Sequence, residues 1–145
     1  MSRVELASSC FEKGFVCSQA ILATYGEQLG LEREIALKIA DGFGSGMSRM
    51  AETCGAVTGA FMVIGLKHGR TIVEDRQAHE KTYDLVNEFV HRFKSRNGSI
   101  VCRELLGCDI GTPEGLNSAR EKKLLTTICP KCVRDAAEIV EEMLE

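Results

Sequence analysis

The sequence predicts an all-α fold, a compact single-domain bundle of about six to eight helices around a central apolar helix at about residues 54–67. Three observations predict it. Apolar residues recur at helical spacing, and strand-like alternation is nearly absent. Only two prolines occur, Pro113 and Pro130, and both fall where a helix can begin. No strong internal repeat or disordered linker interrupts the 145 residues, which read as one cysteine-rich helical domain, 1–145, long enough for a sizeable core.

Ser2-Arg3-Val4-Glu5 is a capping-box pattern that opens a first helix running to about Glu12 and stopped by Gly14. A second begins near Cys17, carries the stripe Cys17, Ile21, Tyr25 and Leu29, and closes at Gly30. Glu32 to Asp41 holds Ile35, Ile39 and Ala40 and breaks at Gly42. Gly42-Phe43-Gly44-Ser45-Gly46 follows a helix rather than a strand and lacks the Lys-Ser/Thr of a P-loop, so it reads as a turn that lets backbone pass close to a site or another helix. Cys54 to Leu66 is apolar nearly all round, as a central helix should be, with Gly55, Ala56, Gly59 and Ala60 keeping one end slim.

Thr71-Ile72-Val73-Glu74 has the form of a capping box for the longest helix, expected to end near Arg96 and to bury Tyr83, Val86, Phe89 or Val90, and Phe93. Ser99 is placed to cap a short helix that contains Cys102 and ends at Gly107. Thr112 and Pro113 open another, through about Lys123. The last is expected from about Pro130 to Leu144, with Val133, Ala136 or Ala137, Val140 and Leu144 inward.

Composition narrows the function classes. A net charge of −3 with no basic run gives nucleic acid no electrostatic footprint. The first residues mix Arg3, Glu5, Glu12 and Lys13 among apolar ones, unlike a signal peptide, and the longest apolar run, Ala56 to Leu66, is too short for a membrane span. The expectation is a cytoplasmic protein with neither nucleic-acid nor membrane partners.

The outlying feature is seven cysteines: Cys10, Cys17, Cys54, Cys102, Cys108, Cys129 and Cys132. In a reducing compartment structural disulfides are rare, and such a set points to redox or metal chemistry. Cys17, Cys54, Cys102 and the Cys129/Cys132 pair fall at or near expected helix starts. There, free N–H groups and the helix dipole should stabilise a thiolate and lower its pKa. Cys129-Pro130-Lys131-Cys132 is the sharpest local motif, with Cys129 expected as cap and Cys132 one turn in, so that the two sulfurs can form a disulfide or share a metal. Cys10 and Cys108 read as structural. His79 fits a hydrogen-bonded structural role or a metal ligand; His68 sits near a helix end where positive charge suits the dipole, and His91 is expected in solvent. Arg49 is either support for a thiolate or an exposed loop arginine.

At Cys54-Gly55-Ala56-Val57-Thr58-Gly59 the chain resembles the redox-active protein family named for its C_GCAxxG_C_C cysteine pattern. The resemblance extends through Val16-Cys17-Ser18-Gln19-Ala20, the Gly42 to Gly46 loop, Cys102-Arg103-Glu104-Leu105 and a cysteine at the last helix. It implies that the family cysteines are Cys17, Cys54, Cys102 and one of Cys129 or Cys132. Cys132 is taken because Val133-Arg134-Asp135-Ala136-Ala137 look like the family's closing helix. The family name writes Gly before Cys, whereas Cys54 precedes Gly55.

The leading functional expectation is thiol–disulfide redox or electron transfer through Cys17, Cys54, Cys102, Cys132 and Cys129, as an oxidoreductase or an accessory to one. Its partner would be a redox protein or a small thiol or disulfide. The alternative makes Cys17, Cys54, Cys102 and Cys132 ligands of an iron–sulfur cluster or zinc. A third reading is a non-enzymatic helical interaction domain. No oligomeric state follows from the sequence.

Overall fold

A computed structural model describes residues 1–145 and contains eight right-handed α-helices and no β-strand. They are α1 (Arg3–Glu12), α2 (Cys17–Gly26), α3 (Arg33–Asp41), α4 (Gly55–His68), α5 (Arg76–Asn97), α6 (Cys102–Leu106), α7 (Pro113–Glu121) and α8 (Ile128–Leu144). No helix is long and apolar enough to cross a membrane.

Local chemistry sets most of the boundaries. Ser2 Oγ accepts from the Glu5 N–H at 3.1 Å, and Thr112 Oγ1 accepts from Gly115 at 3.0 Å ahead of Pro113. Gly107 ends α6 at φ +73°. Val101, not Ser99, is the N-cap of α6, and no side chain caps it; Ser99 Oγ accepts instead from Val101 N at 2.9 Å. Three expected limits shift. α2 gives way at Gly26 to a 3₁₀ turn, Glu27–Leu29, before Gly30. α5 starts at Arg76, because Asp75 rather than Thr71 supplies the cap, accepting from Ala78 at 3.1 Å. α8 starts at Ile128, so Cys129 lies inside its first turn instead of capping it.

Helix α4 is central, packed on α2, α5 and α8. Its slim end lets α2 come close: a Cβ on Gly59 would stand 3.0 Å from both Ile21 Cβ and the Ser18 carbonyl. Ser18 Oγ donates to Ala40 O at 2.7 Å and Gln19 Nε2 to Leu37 O at 2.9 Å, tying α2 to α3. Tyr25 OH donates to Ala137 O at 3.2 Å, tying α2 to α8. Phe89 and Phe93 of α5 are fully buried, with Phe61 of α4 edge-on to Phe89. Tyr83, expected inside, is 56% exposed: the helix meets the body only from about Leu85 onward, and the Tyr83 ring lies against His79 instead.

Beside this main core sits a small one, made of Ala51, Cys102, Leu106, Ile110 and Ala119, under α6 and α7. An isolated antiparallel bridge between Thr53 and Val101 joins the two parts. It is flanked by hydrogen bonds from Cys54 N to Ile100 O (2.8 Å) and from Cys102 N to Glu52 O (2.6 Å).

The start of α8 is pinned by a buried carboxylate that the sequence did not single out. Asp135 accepts from Lys131 Nζ (2.7 Å), Asn97 Nδ2 (3.1 Å) and Arg96 Nη1 (3.3 Å), locking the Cys129–Cys132 turn to the end of α5. Hydrogen bonds to charged groups contribute about 1.5–3 kcal/mol each, and three converge on this carboxylate, although Arg96, Asn97 and Lys131 each keep another acceptor. Asp135→Ala is therefore expected to cost about 2–3 kcal/mol, read as a lower urea midpoint with unchanged slope.

Candidate functional site

Five cysteines from separate parts of the chain meet at the seam between the two cores. Cys17 is the first residue of α2, Cys54 precedes α4 as its N-cap, Cys102 opens α6, and Cys129 and Cys132 lie in the first turns of α8. All five line one cavity of about 330 Å³. The rest of its wall includes Phe11, Phe15 and Val16 on one side and Leu105, Leu106, Ile110, Leu125 and Ile128 on the other. Cys54, Cys102 and Cys132 are buried, while Cys17 and Cys129 are partly open. All seven cysteines are free thiols.

Within the cavity, Cys54 is the middle of a row. Its thiol interacts side chain to side chain with Cys132 and with Cys17. The sulfur hydrogen bonds of the chain lie elsewhere, at Cys108 Sγ to Leu106 O (3.7 Å) and Arg33 Nη2 to Cys10 Sγ (4.0 Å). Cys102 and Cys129 complete the group, each raised electrostatically by Cys17 after burial has acted. Cys17 and Cys102 are the neighbours that push Cys129 up further after burial.

The backbone that holds this row is unusual. Ser45, Met47, Ser48, Arg49 and Ala51 all have positive φ, with Gly46 among them, and Gly44–Ser48 winds as a left-handed turn. Such a conformation costs non-glycine residues roughly 1–2 kcal/mol each and persists only where surrounding contacts impose it. Here a backbone N–H from Ser45 reaches Cys17, and Gly46 packs so tightly that a Cβ would stand 2.7 Å from Cys102 Cβ. The glycine-rich loop thus passes close to the thiols as expected, by a left-handed path that glycine spacing alone does not reveal.

The expectation of lowered thiol pKa values is overturned at Cys17, Cys54, Cys102 and Cys129. The donors are present: backbone N–H groups of Ser18 and Ser45 act on Cys17, and that of Ala56 on Cys54, each pulling downward. They lose to two larger effects. For Cys17 the contact with Cys54 comes first and burial second; for Cys54 the contact with Cys132 is largest, and both groups end well above the ordinary thiol range. Burial pushes Cys102 up to about 11 and Cys129 up to about 12. A thiolate in an apolar, thiol-lined cavity loses more hydration than a helix terminus returns.

This shift has a pH consequence. The unfolded thiols ionise near pH 9 while the folded ones keep their protons, so above that pH the unfolded state binds fewer protons and stability falls. The loss begins at about pH 9, continues toward about 11–12, and reaches at most about 1.4 kcal/mol per pH unit for each thiol. Melting temperature should drop through the lower part of that window, and less steeply in Cys129→Ala.

The remaining candidates fall outside the cavity. Cys10 is buried in the main core beside Arg33, and Cys108 packs against the small core. None of the three histidines lines the wall. Burial, with Lys81 and Lys67 nearby, pushes His68 down, against the charge expected to suit the dipole. Arg49 is exposed and outside the lining; the cation that lowers Cys102 is Arg103. Missed from sequence were Ser45 and the apolar wall contributed by α6, Ile110 and the segment before α8, since nothing local marks residues that meet only in the folded chain.

A family model described as "Putative redox-active protein (C_GCAxxG_C_C)" matches residues 15–143, a span that takes in all five cavity cysteines and leaves out Cys10. The match supports a redox role in general. No curated protein and no solved structure matches the chain.

Proposed function

The chain belongs to the C_GCAxxG_C_C family of redox-active proteins, and from that premise we propose that it works as a dithiol–disulfide couple in which Cys54 is the shared member and Cys17 or Cys132 the partner. One observation carries this reading: Cys54 lines a single apolar cavity together with Cys17 and Cys132, and both thiols act on it. Oxidation removes two hydrogens and joins two sulfurs that line the same cavity. High thiol pKa values slow exchange with adventitious disulfides, which need a thiolate, and so reserve the couple for an oxidant that enters the cavity.

The chain is suited to a direct test, because trypsin sites place every cysteine on its own peptide; Lys131 separates even Cys129 from Cys132. Mild oxidation of reduced protein, followed by thiol blocking and non-reducing peptide mapping, should yield Cys54 linked to Cys17 or Cys132, reversed by dithiothreitol. No reversible loss of thiols would sink the reading.

A second reading has an observation of its own. Cys17, Cys54, Cys102 and Cys132 reach the same cavity from four helices, matching in number the four thiolates that hold zinc or an iron–sulfur cluster. A bound cation would also offset the cost of ionising buried thiols. As the side chains stand, no three His, Cys, Asp or Glu residues are grouped to hold a metal ion, so ligation would need them to turn. Anaerobic purification with metal analysis and an absorption spectrum separates the two: stoichiometric iron or zinc favours ligation, and metal-free protein that closes the Cys54 disulfide favours the couple.

A further inference from the structure

The cavity also constrains what can exchange electrons with the thiols. At about 330 Å³ it lies within the range of small-molecule sites, roughly 300–1,000 Å³. No Asp, Glu, Lys, Arg or His lines it; apart from the thiols, Ser45 and Thr126 are its polar side chains. A charged ligand would lose its hydration there and find no counter-ion. That disfavours peptide disulfides bearing carboxylates and any phosphorylated nucleotide. Phe11 and Phe15, with Leu105 and Leu125, instead offer the apolar and aromatic contact that suits a flat, uncharged ring.

We propose that the cavity admits an uncharged, apolar acceptor of the quinone class, which takes two electrons and two protons from Cys54 and its partner thiol. The proposal rests on the dithiol reading above. In the step, the S–H bonds of Cys54 and Cys17 break and one S–S bond forms. Both electrons and both protons pass to the quinone, whose two carbonyl oxygens become the hydroxyls of a hydroquinone. Reactants and products are all neutral, so no charge has to be created in the apolar cavity.

The test uses the full chain, reduced and anaerobic, with duroquinone, whose fully substituted ring blocks stable thiol adducts. The expected result is a rate that saturates with duroquinone, one hydroquinone per disulfide, and oxidation by an anionic quinone sulfonate or by glutathione disulfide at least about tenfold slower at equal concentration. Leu125→Lys, which sets a cation in the partly buried wall, should raise the half-saturating duroquinone concentration at least about tenfold, while Leu125→Met should preserve it. A rate that stays linear in duroquinone, or charged oxidants that act as fast, would overturn the proposal. If diamide closes the Cys54 disulfide and duroquinone does not saturate, the quinone assignment fails and the couple stands. If neither oxidant closes a disulfide, the couple itself fails.

Discussion

Cys54→Ser is expected to abolish the reversible two-thiol oxidation, whereas Cys17→Ser and Cys132→Ser are each expected to keep it. The asymmetry follows from the row. Cys54 interacts with both neighbours, so removing either flank leaves it one partner, while removing the centre takes away the member the two flanks share. Each flank variant should close its remaining pair within about tenfold of the wild-type rate, a barrier change of no more than about 1.4 kcal/mol. Intact mass after mild oxidation reads the outcome as the loss or retention of two hydrogens. Because serine places a hydroxyl in an apolar cavity, Cys54→Ala serves as the second central variant, with helical circular dichroism as the check on folding. Undiminished oxidation in both central variants would move the couple elsewhere, with Cys129 and Cys132 first in line.

That outcome would favour the motif most visible in the sequence, and the contrast shows what was legible. The helix starts at Cys17, Cys54 and Cys102 could be placed roughly because breaking is local: Gly107, Gly14 and Gly42 announce where neighbouring helices end to a residue or two. The central helix was equally plain, since its residues are apolar all round and its glycines thin one end. Pairing among the thiols was not legible. Cys129 and Cys132 are close in sequence, yet α8 begins two residues before Pro130, and the contacts of Cys132 are set by how α8 crosses the start of α4. Likewise the dipole argument for a lowered pKa identified real donors and misjudged the balance. It counted the N–H groups at each helix start without the burial and the neighbouring sulfurs that only tertiary structure supplies. The left-handed run from Ser45 to Arg49 was invisible for a related reason. Its non-glycine residues hold positive φ because contacts around Cys17 and Cys102 impose it, against their own preference.

Gly55→Ala is expected to destabilise the protein by about 1–3 kcal/mol and to disconnect Cys17 from Cys54, although alanine is the better helix former by about 1 kcal/mol. A Cβ at this position would fall on Cys17 Sγ, well inside contact distance, and 3.1 Å from both the Phe43 carbonyl and the Ser18 N–H. The backbone groups belong to α2 and to the turn before the left-handed segment, so they yield less readily than a thiol. Cys17 must therefore rotate away or α2 must shift, and either move loosens the row. The double variant Gly55→Ala/Cys17→Ala removes the sulfur that the new methyl meets. If the glycine is there to seat Cys17, the cost of Gly55→Ala should fall by more than half in the Cys17→Ala background, a coupling of about 0.5–1.5 kcal/mol in a double-mutant cycle. An unchanged cost would mean that the glycine serves only the packing of α4 against the backbone of α2. In the single variant, peptide mapping supplies an independent readout: the oxidised protein should shift from a mixture of Cys54 linkages toward Cys54–Cys132 alone, because the new methyl meets Cys17, and Cys132 is not among the atoms nearest it.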